Sequence, residues 1–172
     1  MKRVVILLVF LSVSLGYAQA FKGKGDVKFQ VGANIQQDGT GIMASMDFGL
    51  GENISIGVAS AYLLGIDKVY SLSEGKEIPF AEFEDRFDIK ARFNANLGNV
   101  INVDENLDVY PGLHVSLKNF GGHLGGRYFF TSGFGVLCEL NIPFAKYNTD
   151  TLTPAETLHN QVSVNIGASF SI

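Results

Sequence analysis

The residues with reactive side chains fall on alternating positions. His114 and Ser116 are two apart, and Asp108 lies upstream at the same parity. A histidine beside a hydroxyl, with a carboxylate behind it, is the set that acyl transfer or ester hydrolysis uses, the imidazole as base and the hydroxyl as nucleophile. The spacing is not specific to that chemistry, and a histidine in a polar interior serves equally as a hydrogen-bonded filler. A second set is Arg86, Asp88, Lys90 and Arg92, again two apart, with Lys28, Asp47, Asp108, Lys118, Arg127 and Glu139 on the equivalent face of other segments. Charges so spaced share one face of an extended chain. They would line a narrow ion path or, if paired, plug it, because an isolated buried charge is costly. Arg127 and Glu139 are expected to pair. With Phe130 opposite Phe134 across a tight turn, residue 125 faces residue 139, and Arg127 lies on the diagonal.

Other chemistries find no support. His123 and His159 fall in or near connecting segments, and Cys138 is the lone cysteine, so neither a metal site nor a disulfide is expected. No glycine-rich nucleotide loop, HExxH or GxSxG motif occurs, so no cofactor and no catalytic residues are assigned. A formal charge of −4 gives no reason to expect a nucleic-acid partner.

The elements that carry these residues follow from composition and periodicity. The 172 residues include 20 Gly and 14 Phe, and 47% are apolar. That excludes a disordered chain, and the glycine content argues against a helical bundle. Charged residues make up only 17%, against a usual ~25%, which raises the question of what surface such a chain presents. Met1–Ala20 has Lys2 and Arg3, an apolar run from Val4 to Leu11, and Ala18-Gln19-Ala20. This is the pattern of a secretory signal peptide cleaved after Ala20, and the run is too short to span a membrane. Residues 21–172 are then one domain, and no Cys stands where a lipoprotein signal would need it.

Period-two alternation dominates that domain, the mark of strands with two unlike faces. Eight segments show it: Val27–Ile35, Thr40–Leu50, Ile54–Gly65, Phe83–Gly98, Leu107–Lys118, Leu124–Phe130, Phe134–Phe144 and Val162–Ile172. Short turns alternate with the longer connections Ile66–Glu82 and Ala145–Asn160, as in barrels with short turns on one side and longer loops on the other. The apolar face is broken only by Asp85. The opposite face interleaves charges with small residues, including Gly32, Gly57, Gly112, Gly125 and Gly135, which suits a narrow interior. Phe29, Phe48, Phe130, Phe134 and Phe170 lie near the short-turn end, and Tyr62, Phe83, Phe87 and Phe144 near the other. Two aromatic girdles around an aliphatic band place the apolar face outward, in lipid. The fold expected is an all-β, eight-stranded antiparallel up-and-down transmembrane barrel. Cys138 falls on the lipid side, where it acts as a small hydrophobe.

Gly121–Val136, containing Gly126-Arg127-Tyr128-Phe129-Phe130-Thr131, resembles the G-x-RYFFT-x-x-FG hairpin of small outer-membrane β-barrel proteins common in Bacteroidota. Glu105–Leu113 resembles the strand preceding it, and the architecture resembles that of the OmpA transmembrane domain and OmpX. The resemblance implies fold and an outer-membrane location, reached through the general secretory pathway; it implies almost nothing about activity. The function expected is that of a non-enzymatic, monomeric integral barrel. Its lumen is filled, its partner is outer-membrane lipid, and its surface loops are free to meet a ligand or protein. The alternatives are a lipid-modifying barrel enzyme using His114, and a soluble periplasmic lipocalin-like ligand binder.

Overall fold

The computed structural model describes residues 19–66, 81–149 and 155–172. All but the last two residues of the expected signal segment, and most of the first long connection, lie outside them. Eight strands form: β1 (Val27–Gln36), β2 (Gly39–Gly49), β3 (Ile54–Ile66), β4 (Phe87–Ala95), β5 (Leu107–Ser116), β6 (Asn119–Phe129), β7 (Phe134–Lys146) and β8 (Ser163–Ser171). Two four-residue helices join them, α1 (Phe83–Arg86) before β4 and α2 (Gly98–Ile101) after it. Each strand pairs antiparallel with its neighbours in sequence, and β1 pairs with β8, closing the barrel.

The alternation of the sequence becomes inside and outside. Lys28, Gln30, Asn34, Asp47, Asp88, Arg92, Asp108 and Arg127 are buried, whereas Val31, Ile42, Ile56, Val58, Val115, Leu124 and Val136 are exposed. This inverts the soluble pattern, in which charged side chains are mostly exposed and large apolar side chains rarely form one continuous exposed belt. Aromatic rings bound the belt. Phe29, Phe170, Phe134, Phe130 and Tyr128 form a chain of ring contacts with centroids 5.5–6.3 Å apart at the end where β1 begins and β8 ends, the terminal side. Tyr62, Phe83 and Phe87 make another at the opposite, loop-side end, with Phe120 against Phe144.

Three boundaries differ from the sequence reading by three residues or more. The fourth strand starts at Phe87, not Phe83, because Glu82 and Asp85 form a reciprocal capping box that winds the intervening residues into α1. Asp85 therefore does not interrupt the outer face. The same strand ends at Ala95, and Gly98 opens α2 rather than ending a strand. The sixth strand begins at Asn119, so Asn119–Gly122, read as connection, are strand, and the β5–β6 turn is only Leu117–Lys118. The β4–β5 ladder is the shortest, from Lys90↔Ser116 to Asn94↔Gly112. Pro111, which has no N–H, stands where it ends.

The β1–β8 seam is closely packed. Gly32 faces Gly167 across it. A Cβ on Gly32 would lie 2.2 Å from the Ile166 oxygen, and one on Gly167 2.2 Å from the Val31 oxygen. Both are contacts with backbone, which cannot rotate away. We expect Gly32→Val to lower the fraction that refolds into detergent micelles, read as the fast-migrating band of unheated samples in gel electrophoresis. Ala33→Val, one position along on the outer face, should refold like the parent. Equal refolding of the two variants would show that the seam tolerates a side chain.

Candidate functional site

The lumen is filled by ion-paired side chains, of which Arg92, Arg127, Asp47, Asp108 and Glu139 form one network. Arg92 on β4 reaches across the barrel: Nη2 donates to Glu139 Oε2 at 2.7 Å, and Nε lies 3.2 Å from Asp47 Oδ1. Arg127 on β6 donates from Nε and Nη2 to Asp108 Oδ2 at 3.0 and 2.8 Å, and from Nη2 to Asn96 Oδ1 at 2.8 Å. Its Nη1 lies 3.5 Å from Asp47 Oδ2. Asp47 thus stands between the two guanidinium groups. Nearer the termini, Lys28 Nζ donates to Asp26 Oδ1 and Ser171 Oγ, both at 2.9 Å, and sits 4.8 Å from the centre of the Phe129 ring. Toward the loops, Lys90 Nζ is 4.0 Å from Asp88.

The expected Arg127–Glu139 pair does not form. Residue 125 does face Glu139, as the turn implies, but Asp108 lies directly opposite Arg127 on β5. A directly opposed partner is closer than a diagonal one, so Arg127 takes Asp108 and leaves Glu139 to Arg92. Two other members of the expected network lie outside the lumen proper. Arg86 ends α1 at the loop-side mouth, half-buried, with Nε donating to the Ala81 carbonyl at 3.1 Å. Lys118 lies in the β5–β6 turn, its Nζ donating to the Asp85 carbonyl at 2.9 Å. Both lost their places when the strands proved shorter than the alternation suggested.

His114 and Ser116 do not form an acid–base pair with one another. Ser116 Oγ accepts the backbone N–H groups of Lys118 and Asn119 at 3.0 Å each, bracing the turn. His114 Nδ1 faces His123 Nδ1 at 3.4 Å, and His123 Nε2 donates to Asn94 Oδ1 at 2.7 Å. Asn94 in turn donates to Ser55 Oγ at 3.0 Å. His123, read as a loop residue, is therefore part of the lumen. Among the described residues no group of three or more metal-ligating side chains occurs.

The sequence reading also passed over Tyr110 and the amides. Tyr110 is fully buried, with its ring centre 4.7 Å from the Arg127 guanidinium and 5.6 Å from that of Arg92. Its position follows from paired glycines. Tyr110 faces Gly125, His123 faces Gly112 and His114 faces Gly121 across β5 and β6. Each ring occupies the space a Cβ on that glycine would need, at 2.2, 2.2 and 2.7 Å. The complementary runs Tyr-x-Gly-x-His and Gly-x-His-x-Gly hold that signal once antiparallel register is assumed. Gln30, Asn34, Asn96, Asn141 and Asn165 add side-chain hydrogen bonds to the interior. What stays empty between Met43, Lys90, His114 and Glu139 is a cavity of ≈ 20 Å³, room for about one water.

Both mouths are covered. At the terminal side Phe21 is buried 6.0 Å from the Arg127 guanidinium, its carbonyl accepting from Asn99 Nδ2 at 3.1 Å, while the Ala20 N–H donates to the Glu105 carbonyl at 2.8 Å. At the loop side Leu158, His159 and Asn160 fold inward. His159, at φ +63°, donates its N–H to Gln36 Oε1 at 2.9 Å and its Nε2–H to the Arg86 carbonyl at 2.8 Å. Asn119 Nδ2 donates to the His159 carbonyl at 2.9 Å.

A closed eight-stranded barrel with an apolar outside and an ion-paired inside defines the transmembrane β-barrel class of architecture. A chain from "De novo design of transmembrane beta-barrels" is similar to it, at TM-score 0.57 and 9% identity, with 88% of this chain and 98% of that one covered. That likeness is one of fold. Outer membrane protein G from Pseudomonas aeruginosa, solved by solution NMR, aligns at TM-score 0.48 and 11% identity over 88% of this chain and 99% of its own. No curated protein matches. The chain belongs to the Family of unknown function (DUF6646), whose model matches residues 10–172.

Two predictions follow from this geometry. Arg92→Met removes the cation between Glu139 and Asp47 and is expected to destabilise the barrel by ~3–5 kcal/mol, measured by urea unfolding in detergent. Adding Glu139→Gln should recover part of that loss; a double variant as unstable as the single would mean that packing, not charge, is what Arg92 provides. The second concerns the loop-side cover. Burial, with Lys118 and Lys90 nearby, lowers the His159 pKa to about 4 from an ordinary value of ~6.5. The covered state favours neutral His159, so it is fully stable above the ordinary value and loses stability as pH falls toward about 4. Amide-exchange protection of residues 158–160 should fall through that window, and His159→Gln should abolish the step.

Proposed function

We propose that the protein is an integral outer-membrane barrel with a sealed polar lumen, monomeric and non-enzymatic. It is exported through the general secretory pathway with loss of residues 1–20. Its role is structural, or is exercised through the loop-side connections, where a ligand or protein partner would bind. The observation that carries this reading is the inversion of the barrel: a continuous apolar exterior around a lumen in which Arg92 and Arg127 are held by Asp47, Asp108 and Glu139. Lipid offers no partners for an open strand edge, and a closed sheet satisfies that demand. An eight-stranded barrel is wide enough only for side chains to fill.

The alternatives fit less well. A lipocalin-like binder needs an apolar chamber for its ligand, whereas this interior is polar and occupied. A lipid-modifying enzyme needs a nucleophile and a base within reach of each other at the lipid boundary. Ser116 instead accepts from the turn, and His114 faces His123. Processing after Ala20 would leave Phe21 as the first residue, its ring already seated in the terminal-side mouth.

Fractionation tests the reading. The protein should remain in washed outer membranes and migrate faster unheated than boiled. The purified barrel should give no conductance steps in planar bilayers. Recovery in the soluble periplasmic fraction would sink the membrane reading, and stable single-channel steps would sink the sealed lumen.

A further inference from the structure

The connection between β4 and β5 is unlike its neighbours. The other turns on the terminal side have polar tips, Gly51-Glu52-Asn53 and Thr131-Ser132-Gly133. This one exposes Val100, Ile101 and Val103, which are 62%, 52% and 74% exposed. Leaving three such side chains in water wastes the free energy their burial would release.

Polar ties fix how α2 sits. The Gly98 N–H donates to Asp108 Oδ1 at 3.1 Å, and Asn99 Nδ2 donates to the Phe21 carbonyl at 3.1 Å. Both ties run toward the lumen and its terminal-side cover, and the apolar residues of the same turn are left exposed. The apolar surface is also continuous with the outer belt. Leu97 follows Phe93 and Ala95 at the outward parity of β4, and its N–H still donates to the Val109 carbonyl on β5 at 2.9 Å. Asp104 then turns the chain back, its Oδ1 accepting the Asn106 N–H at 2.8 Å.

We propose that this connection is an apolar foot set in the lipid interface at the terminal-side rim. Its occupant is the acyl–headgroup boundary of the bilayer around the barrel. The inference rests on the membrane reading above and adds where the bilayer boundary runs: deeper over β4–β5 than over the polar turns. The contact is apolar, and the nearest charges along the chain, Asp104 and Glu105, are acidic. Binding therefore needs no anionic lipid and is insensitive to salt, unlike a basic interfacial segment.

The chain has no Trp, so a single introduced Trp reports without background. Val103→Trp marks the foot, with Val100→Trp as a second reporter, Phe134→Trp the outer belt, and Glu52→Trp the polar turn on the same side. Each is inserted in phosphatidylcholine vesicles, plain or brominated near the top of the acyl chains, and checked for heat-modifiable migration. V103W and V100W should emit at blue-shifted wavelengths and lose at least half as much intensity to brominated lipid as F134W does, with no change in 1 M salt. E52W should emit as in water and be quenched by acrylamide. If F134W is quenched but both foot reporters behave like E52W, the foot faces water or a protein partner and the proposal is wrong. If F134W is also unquenched, the membrane reading itself falls, and the foot with it.

Discussion

Five carboxylates (Asp26, Asp47, Asp88, Asp108 and Glu139) and four cations (Lys28, Lys90, Arg92 and Arg127) share a tube too narrow to hydrate them. Most other features of the structure answer to that constraint. A charge withdrawn from water is tolerated only with a counter-charge and with its remaining donors and acceptors met. Asp47 lies within ion-pair distance of two guanidinium groups, and Glu139 meets the demand by accepting from Arg92, Asn141 and Asn165. The glycines opposite Tyr110, His114 and His123 meet it sterically, by giving rings room to lie flat against the wall. The covers at the two mouths keep the arrangement from being undone by entering solvent.

The outer face obeys the reverse rule. Backbone groups are paired around a full circle, so no strand edge is left, and the side chains outside need no partner but an apolar medium. The low charge content of the chain follows from these two rules together. Charges are placed where they can be paired inside, and the exterior is left to apolar side chains. Cys138, exposed on that exterior, fits the same logic as a small apolar group.

Most of this architecture was legible in the sequence because period-two alternation is strict wherever the two faces differ most. The strands that carry Val27–Gln36 and Ser163–Ser171 lie within a residue of their expected bounds. Legibility failed where local chemistry competes with alternation. Phe83, Phe87 and Asp85 have strand parity, but a capping box between Glu82 and Asp85 winds the chain instead. Gly121 and Gly122 look like a turn, yet Gly121 is there because His114 needs its space. Parity showed which charges face inward; it could not show which pair, because that depends on side-chain reach around a curved wall. Tyr110 was not legible for a simpler reason: at an inward position a phenol is neither charged nor small, so neither pattern of the inner face marks it.

The wiring of the ion pairs bears on how such a barrel could be assembled. Arg92 on β4 finds its partners on β2 and β7, and Arg127 on β6 finds its own on β5 and β2. No hairpin contains a complete set. Entering an apolar medium alone, the β1–β2, β3–β4 and β7–β8 hairpins would carry Asp47, Arg92 and Glu139 unpaired, so stepwise insertion climbs an electrostatic barrier that falls only when β2 and β7 are both in place. In the proposed membrane setting the lumen thus ties early and late strands into one cooperative event, with the curled sheet nearly whole before it crosses.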